Sequence, residues 1–225
     1  MNEKQVDAGH YRFGSYMSQA RWGSLWYQID ELSKLDVHSV LEIGPGPGYL
    51  STIVRSLGMR VETVDLDPDL KPDHVGSVSD LPLPDNSFDV ACAFQVLEHI
   101  PFEEALRALD ELARVARRFV LISLPNASHT WRYLIHLPKL GEKKVLVPRP
   151  RIKPERHTFD GEHYWELGKE GYRLSRVVEA FRASERLELE RTYRPFDNPY
   201  HQFFLFSVMD SGAAARQPEA RLAPA

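Results

Sequence analysis

The chain has 225 residues, of which 43% are hydrophobic and 27% charged, and its formal net charge is −4. These values predict one globular domain with a sizeable core, and they argue against a nucleic-acid backbone as the main partner. No apolar run reaches the ~18 residues that span a bilayer. The opening residues, MNEKQVDAGH, lack the apolar core of a signal peptide, and the single cysteine allows no intrachain disulfide. We therefore expect a cytoplasmic protein.

Helices and strands alternate through the first half of the chain. Apolar residues at spacings of three and four predict helices, and short apolar runs bounded by turn residues predict strands. In chain order these are a helix at 18–35, a strand at 39–43, a helix at 49–57, strands at 60–64, 74–78 and 88–94, a helix at 102–117 and a strand at 119–124. This order predicts an α/β fold, a parallel sheet with helices on both faces. Ligands bind such sheets at the edge where the loops after the strands gather.

The segment 126–168 interrupts the alternation and is rich in proline, basic and aromatic residues. A long irregular segment of this kind is usually functional, so we interpret it as an insertion that acts as a lid within a single domain over 1–210. A helix at 172–183 and strands at 187–193 and 202–209 follow. Residues 211–225 are of low complexity and are predicted to be disordered. The insertion's basic residues form either a solvated loop or a patch for an anionic substrate or a membrane face; they are Lys143, Lys144, Arg149, Arg151, Lys153 and Arg156.

A glycine-rich turn follows the first predicted strand, in the run VLEIGPGPGYLS at 40–51. Glycine recurs at every second position, at Gly44, Gly46 and Gly48, and the carboxylate of Glu42 precedes the first of them. Dinucleotide-binding folds favour G-x-G-x-x-G instead, which sets a pyrophosphate on the helix N-terminus. A carboxylate before the glycines would repel a diphosphate, whereas it suits a ligand with an ammonium group.

A second acid, Asp65, ends the second predicted strand. A carboxylate at this place can accept two hydrogen bonds from vicinal ribose hydroxyls, and Leu66 beside it can cover one face of an adenine. Asp65 can instead cap a helix, although Asp67, directly before Pro68, is better placed for capping. The two acids and the glycine turn together indicate a nucleoside ligand that carries an ammonium group.

The chain resembles a smaller bacterial group of methyltransferases in its aromatic-rich N-terminal helix, the segment HTFDGEHYWELG and the ending PFDNPYHQFF. Four further motifs in this order resemble the class I S-adenosylmethionine (SAM)-dependent methyltransferases of the methyltransferase type 11 group. The motifs are VLEIGPGPGYLS, TVDLDPDL, the stretch 77–89 and FDVACAFQVLEHIP, and they cover about 38–125. The resemblance implies a Rossmann-like sheet of seven strands whose last strand is antiparallel. It also implies SAM as cofactor, S-adenosylhomocysteine as product, and a cofactor site made of Glu42, Gly44, Gly46, Gly48, Asp65, Leu66, Ser77, Val78, Asp80 and Gln95.

The adenine end of this implied site departs from the family pattern. Many members have an acid that binds the adenine amino group where this chain has Ser77. Either Ser77 or Asp80 is expected to take that role. The backbone N–H of Val78 is expected to meet adenine N1.

Three histidines are candidate general bases, because an oxygen nucleophile must lose a proton when it is methylated. His99 follows the fourth parallel strand in the pair Glu98-His99, which either starts a helix or takes part in catalysis. A related run in ubiquinone-type O-methyltransferases can hold a divalent cation, but Gln95 replaces its first acid here, so we predict no metal. His157 and His163 lie in the insertion, which either covers the substrate pocket or docks on the core.

The sequence therefore predicts a methyltransferase that acts on a small-molecule acceptor. Methylation of oxygen is favoured, and a glycan or lipid-linked intermediate is a candidate acceptor. A non-catalytic SAM-binding partner on the same fold is the alternative, and peripheral contact with a membrane stays open. The N-terminal aromatics either pack as a helix face or close over SAM; they are Tyr11, Phe13, Tyr16, Trp22 and Trp26. The sequence does not decide whether the loop at 194–201 faces the active-site edge.

Overall fold

The computed structural model of the chain describes residues 11, 13–150, 155–159 and 161–209. The predicted tail at 211–225 lies outside these residues. The helices are α1 (Phe13–Tyr16), α2 (Gln19–Lys34), α3 (Tyr49–Ser56), α4 (Phe102–Val115) and α5 (Leu174–Arg182). The strands are β1 (Ser39–Ile43), β2 (Arg60–Asp65), β3 (His74–Val75), β4 (Phe88–Phe94), β5 (Ala116–Pro125), β6 (Thr130–Leu137), β7 (Gly141–Pro148), β8 (Leu187–Tyr193) and β9 (His201–Val208).

Seven strands form one twisted sheet in the order β3-β2-β1-β4-β5-β9-β8. Strands β1 to β5 run parallel, and β9 lies antiparallel to both β5 and β8. The predicted Rossmann-like methyltransferase sheet is therefore confirmed. The strand order reverses between β1 and β4, and a ligand crevice is expected outside the carboxyl ends of strands at such a point.

The central strands are apolar because helices cover both faces of the sheet. All five residues of β1 are buried, as expected of a strand between two layers. On one face, α4 presents a buried stripe of Ala105, Ala108, Leu109, Leu112, Ala113 and Val115. On the other face, α2 and α3 pack Leu25, Leu32, Leu50 and Val54 against the sheet.

Two predicted elements differ from the structure. The third strand is shorter than predicted, because residues 77–80 fold into a turn closed by a bridge between Ser77 and Asp80. The insertion, interpreted from the sequence as irregular, contains the two-stranded antiparallel ribbon β6–β7. No helix in the described ranges is long and apolar enough to cross a membrane.

A buried tryptophan fastens the end of the insertion to the sheet. The Trp165 side chain is fully buried, and its indole N–H donates to the carbonyls of Leu97 (3.2 Å) and Ile100 (3.1 Å). Its ring packs edge-on against Phe102 at 4.9 Å between centroids. This part of the insertion therefore docks on the core, which was one of the two alternatives drawn from the sequence.

We expect Trp165→Ala to lower the free energy of unfolding by about 3–5 kcal/mol, because it opens a cavity and leaves two carbonyls without their donor. Denaturant titration of the purified protein measures the change. Trp26→Ala is the matched control: the Trp26 side chain is 57% exposed, so its loss should change stability by less than about 0.5 kcal/mol. Equal stability of the two variants would contradict the anchoring role.

Candidate functional site

The glycine loop between β1 and α3 needs glycine for both conformation and space. Gly44, Gly46 and Gly48 have φ values of +65°, +54° and +72°, in the left-handed region that other residues rarely adopt. A Cβ on Gly44 would lie 2.8 Å from Cγ2 of Val96, and a Cβ on Gly46 would lie 3.1 Å from the Tyr11 ring. The loop is therefore held closely between the segment after β4 and the N-terminal arm.

Glu42 places a buried carboxyl group beside this loop, one residue before the end of β1. Its side chain is 5% exposed, and Oε2 has no hydrogen-bond partner among the residues that the structure describes. Burial raises the pKa of Glu42 to about 8, although hydrogen bonds from Ser51 and the charge of Arg55 act in the opposite direction. A cationic group can bind favourably beside a buried acid of this kind, because its positive charge stabilises the ionised carboxylate.

The end of β2 carries the second acid of the predicted constellation. Asp65 Oδ1 accepts a hydrogen bond from the backbone N–H of Asp67 at 2.9 Å. Asp67 itself caps the short turn at 68–70 by accepting from the N–H of Asp69 at 3.0 Å. The capping role thus falls to Asp67, as predicted, and Asp65 stays at the strand end beside the exposed Leu66.

The turn at 77–80 is tighter than the sequence suggests. The Ser77 hydroxyl accepts from the N–H of Ser79 at 3.2 Å, Val78 points into the core, and the Asp80 side chain is exposed. The Ser79 hydroxyl donates to Glu104 Oε1 at 2.8 Å. Glu104, in the first turn of α4, therefore brings a carboxyl group to this turn, which sequence reasoning missed because 25 residues separate the two.

Gln95 turns the chain at the end of β4. Its φ is +57°, its N–H donates to the Ser123 carbonyl at 2.9 Å, and its side-chain amide donates to the Ser123 hydroxyl at 3.1 Å. Both bonds tie Gln95 to the neighbouring strand β5. Gln95 therefore positions the next residue, Val96, against Gly44.

One of the N-terminal aromatics, Tyr11, lies against the glycine loop at Gly46. Tyr11 packs edge-on against Tyr16 with 5.0 Å between ring centroids, and Arg21 lies 4.2 Å from the Tyr16 ring. Burial, together with the charges of Tyr16, Asp65 and Asp67, raises the pKa of Tyr11 to about 12. The remaining aromatics neither pack as a helix core nor cover the loop, since their exposures are 63% for Phe13, 51% for Trp22 and 57% for Trp26.

A second polar cluster lies where the insertion meets the segment after β4. A ring nitrogen of His163, Nδ1, lies 2.7 Å from Glu166 Oε1, and the Tyr200 hydroxyl donates to the same oxygen at 3.1 Å. The rings of His99 and His163 meet edge-on at 5.0 Å, and His99 Nδ1 lies 3.0 Å from the Glu162 carbonyl. The fold thus brings together two of the three predicted histidines.

The third histidine, His157, lies behind this cluster. Its Nε2 lies 2.9 Å from the backbone carbonyl of His163, so it supports the backbone of the insertion.

Glu98 is the buried member of the cluster. Its side chain is fully buried, and neither carboxyl oxygen has a hydrogen-bond partner within the described part of the chain. A carboxyl oxygen of Glu98 and one ring nitrogen each of His99 and His163 lie within 4.8 Å of one another. Such a set is chemically able to hold a divalent cation, whereas the sequence predicts none.

The loop between β8 and β9 lies at the carboxyl end of β5, which decides the placement that the sequence left open. The Tyr200 carbonyl accepts from the N–H of Asn126 at 2.6 Å, and the Asn198 amide donates to the Ser24 hydroxyl at 3.0 Å. His201 begins β9 at this edge. Its ring is buried, and burial lowers the pKa of His201 to about 4.

Comparisons with known proteins agree with this geometry. Residues 41–119 match the family described as methyltransferase domain. A probable S-adenosylmethionine-dependent methyltransferase of Mycobacterium tuberculosis is 37% identical over 100 residues, which are 39% of this chain and 35% of that relative. Residues 41–119 of this chain are therefore similar to the methyltransferase domains of SAM-dependent enzymes. It spans about a third of the length of the curated relatives that it matches in this region.

Two solved structures share the fold. The PH0226 protein of Pyrococcus horikoshii has a TM-score of 0.61 at 14% identity and covers 91% of this chain and 100% of its own. The N-methyltransferase NodS of Bradyrhizobium japonicum, solved with S-adenosylhomocysteine, has a TM-score of 0.58 at 10% identity and covers 92% and 95%. The TM-scores at these low identities show a common fold.

The family match supports SAM as the cofactor that the sequence predicts, and the residues present fit it. The buried Glu42 offers an acceptor for an ammonium group beside the glycine loop. The family match ends at residue 119. It therefore includes the cofactor loop and His99 but not the insertion with His163.

We expect Gly44→Ala to weaken binding of S-adenosylhomocysteine at least tenfold, because the new methyl group displaces Val96 at the cofactor loop. Isothermal titration calorimetry measures the affinity. Gly58→Ala is the matched control, since Gly58 has a φ of +90° and open space around it. Both variants should lose about 1 kcal/mol of stability from backbone strain. Equal affinities in the two variants would show that the approach of Gly44 to Val96 is not needed for binding.

Proposed function

We propose that this protein transfers the methyl group of SAM to an oxygen atom of a small-molecule acceptor, with His163 as the general base. The observation that carries the proposal is the pairing of His163 with Glu166 next to His99. Val96 touches the cofactor loop, and His99 follows three residues later. The base therefore stands near the part of the sheet edge where the reacting methyl group is expected.

The cofactor roles follow the chemistry of each group. Glu42 binds the ammonium group of SAM, and Asp65 accepts hydrogen bonds from the ribose hydroxyls. Leu66 covers one face of the adenine, and the turn with Ser77 and Val78 receives its edge. The remaining positions of the predicted site, Gly44, Gly46, Gly48, Asp80 and Gln95, shape the pocket around these groups.

The transfer is an in-line displacement at the sulfonium methyl group. The bond between carbon and sulfur breaks, a bond between carbon and the acceptor oxygen forms, and S-adenosylhomocysteine leaves. The acceptor's proton passes to Nε2 of His163. The hydrogen bond to Glu166 keeps the single proton of the neutral imidazole on Nδ1, so that Nε2 carries the lone pair. The Glu166 carboxylate then stabilises the imidazolium that forms.

Hydrogen bonds to Glu166 keep its carboxyl group in the ionised form that this role needs. The hydrogen bond from His163 is the largest of the effects that lower the pKa of Glu166, and a bond from Tyr200 adds to it. Glu166 therefore stays ionised at neutral pH. A protein that only binds SAM needs no such positioned pair, which favours an enzyme over the non-catalytic alternative.

Binding of the cofactor should be coupled to proton release from Glu42. Because the pKa of Glu42 is about 8 in the protein alone, a proton must leave when the ammonium group binds. Affinity for S-adenosylhomocysteine should then rise from pH 6 towards 8, by up to about tenfold per pH unit. Above pH 8 it should level off, as the ligand's own amino group starts to lose its proton.

Calorimetry between pH 6 and 8 in buffers of different ionisation enthalpy measures both the affinity and the proton count. Glu42→Gln should bind more weakly and show a smaller rise with pH. If the variant keeps the full pH dependence, Glu42 is not the group that binds the ammonium.

His163→Ala should lower kcat at least a hundredfold and leave the affinity for S-adenosylhomocysteine within about twofold, because the histidine handles a proton and not the cofactor. Glu166→Gln should lower kcat about tenfold or more, since the amide cannot stabilise the imidazolium. Release of S-adenosylhomocysteine is measured over sugar, lipid-linked and phenolic acceptors.

His38→Ala is the control, because His38 is exposed at the opposite end of β1, and it should keep full activity. Treatment with EDTA should also leave turnover unchanged. Loss of turnover in EDTA with recovery on adding Mn²⁺ or Zn²⁺ would contradict the base assignment and show that Glu98, His99 and His163 bind a metal.

A further inference from the structure

The ribbon β6–β7 has one face that is almost entirely apolar. Residues paired across an antiparallel ladder share a face, and Trp131 pairs with Val147, Tyr133 with Val145, Ile135 with Lys143 and Leu137 with Gly141. We call this the outer face. Its apolar members are Trp131, Tyr133, Ile135, Leu137, Val145 and Val147. Lys143 is the one charged residue on it.

The opposite face of the ribbon is also exposed, with Leu134 57% exposed, but two of its basic side chains contact the domain. Lys144 lies 3.3 Å from the Asp197 carboxylate and 5.5 Å from the Phe196 ring, and Arg132 donates to the Asp197 carbonyl at 3.3 Å. These contacts join the ribbon to the loop before β9. They fix the ribbon so that the outer face points away from this loop.

The apolar side chains of the outer face are largely exposed. Trp131, Tyr133, Ile135 and Val145 are 44%, 48%, 45% and 40% exposed, and Leu140 at the tip is 66% exposed. A two-stranded ribbon gains little stability alone in water, and contiguous exposed apolar patches mark places of interaction. Aromatic rings beside aliphatic side chains are typical of protein surfaces that enter the interface of a bilayer.

Positive charge surrounds the outer face. Residues 130–149 contain five basic side chains and one acidic side chain, in a chain whose net charge is −4. Lys139 stands at the tip, Lys143 on the face, and the Arg149 guanidinium lies 6.0 Å from the Trp131 ring centroid. An apolar face with a rim of bases complements a layer of anionic lipid, and lysine stems can reach headgroups while their methylenes stay apolar.

A cleft at the base of the ribbon extends this positive surface. It has a volume of about 920 Å³ and is lined by Arg149, Arg173, Arg194 and His129 among others. No carboxylate lines it among the described residues. Arg194 is held by the carbonyls of Pro199 and Ser128, so the cleft lies on the side of the loop before β9.

We propose that the outer face of the ribbon docks this protein on the surface of a membrane that contains anionic phospholipid. The docking is peripheral, with the apolar side chains at the level of the headgroups and acyl-chain boundary. The proposal goes beyond methyl transfer and does not depend on it.

Sedimentation with vesicles tests the docking directly. The full chain should bind vesicles of phosphatidylcholine with one quarter phosphatidylglycerol at least tenfold more strongly than vesicles of phosphatidylcholine alone, and high salt should weaken this binding. The double variant Ile135→Ser with Leu137→Ser, and the double variant Lys139→Glu with Lys143→Glu, should each lose at least tenfold in partitioning.

Trp22→Ser with Trp26→Ser is the matched control. It removes two exposed apolar side chains from α2 and should leave vesicle binding unchanged. Binding of S-adenosylhomocysteine by each ribbon variant should equal that of the parent, which shows that the variants are folded.

Fluorescence gives a second readout in a variant with Trp22→Phe and Trp26→Phe. Trp131 and the buried Trp165 are then the two indoles that remain of the four in the chain. Anionic vesicles should shift the emission to the blue, since Trp131 leaves water.

Equal binding to both vesicle types, or anionic binding that survives the ribbon substitutions, would overturn the proposal. The proposal would also be overturned if gel filtration without lipid showed a dimer that dissociates in the Ile135→Ser, Leu137→Ser variant. The outer face would then join two copies of the chain.

Discussion

The approach of Gly44 to Val96 sets the geometry of the whole carboxyl edge of the sheet. A Cβ on Gly44 would lie 2.8 Å from the Val96 side chain, so the turn after β1 and the turn after β4 cannot move independently. The first turn shapes the cofactor loop, and the second leads into Glu98 and His99. The side that binds the cofactor and the side that meets the acceptor are therefore placed by one packing contact between two neighbouring strands.

The turn after β4 in turn carries the insertion. The N–H of Tyr164 donates to the Glu98 carbonyl at 2.8 Å, and the Trp165 indole spans the carbonyls of Leu97 and Ile100. These bonds satisfy backbone acceptors that a short turn otherwise leaves open. They also hold His163 beside His99. The position of the proposed base thus depends on a buried tryptophan two residues away and on contacts across more than sixty residues of chain.

Sequence reasoning succeeded where the signal was local. The strand, glycine turn and helix around Glu42 lie within one short stretch. Local backbone and charge constraints require each residue type there, so both fold and cofactor could be predicted. The pairing of Glu166 with Tyr200 could not, because 34 residues separate them and the place of the loop before β9 depends on how β9 pairs with β5.

The ribbon was missed for a different reason. Apolar residues alternate from Trp131 through Leu137, which is the signal of a strand, but the prolines and bases around them favoured an irregular segment. Alternation also implies a buried face, whereas here the alternating side chains are exposed. A pattern of this kind shows that one face is apolar, and only the fold shows whether the domain itself covers that face.

Glu42 shows how ligand binding and stability are connected in this protein. The pKa of its side chain is about 8 in the folded protein, against 4.5 for the ordinary group. The folded state therefore holds a proton that the unfolded state releases, so the contribution of Glu42 to stability is fully present below pH 4.5 and is lost as the pH rises towards 8. The loss is on the order of 5 kcal/mol for a fully buried group. An ammonium group at the unpartnered Oε2 removes this penalty, because it lets the carboxylate ionise in place. If the cofactor binds there as proposed, part of the free energy that the burial of Glu42 costs the protein alone contributes to binding instead.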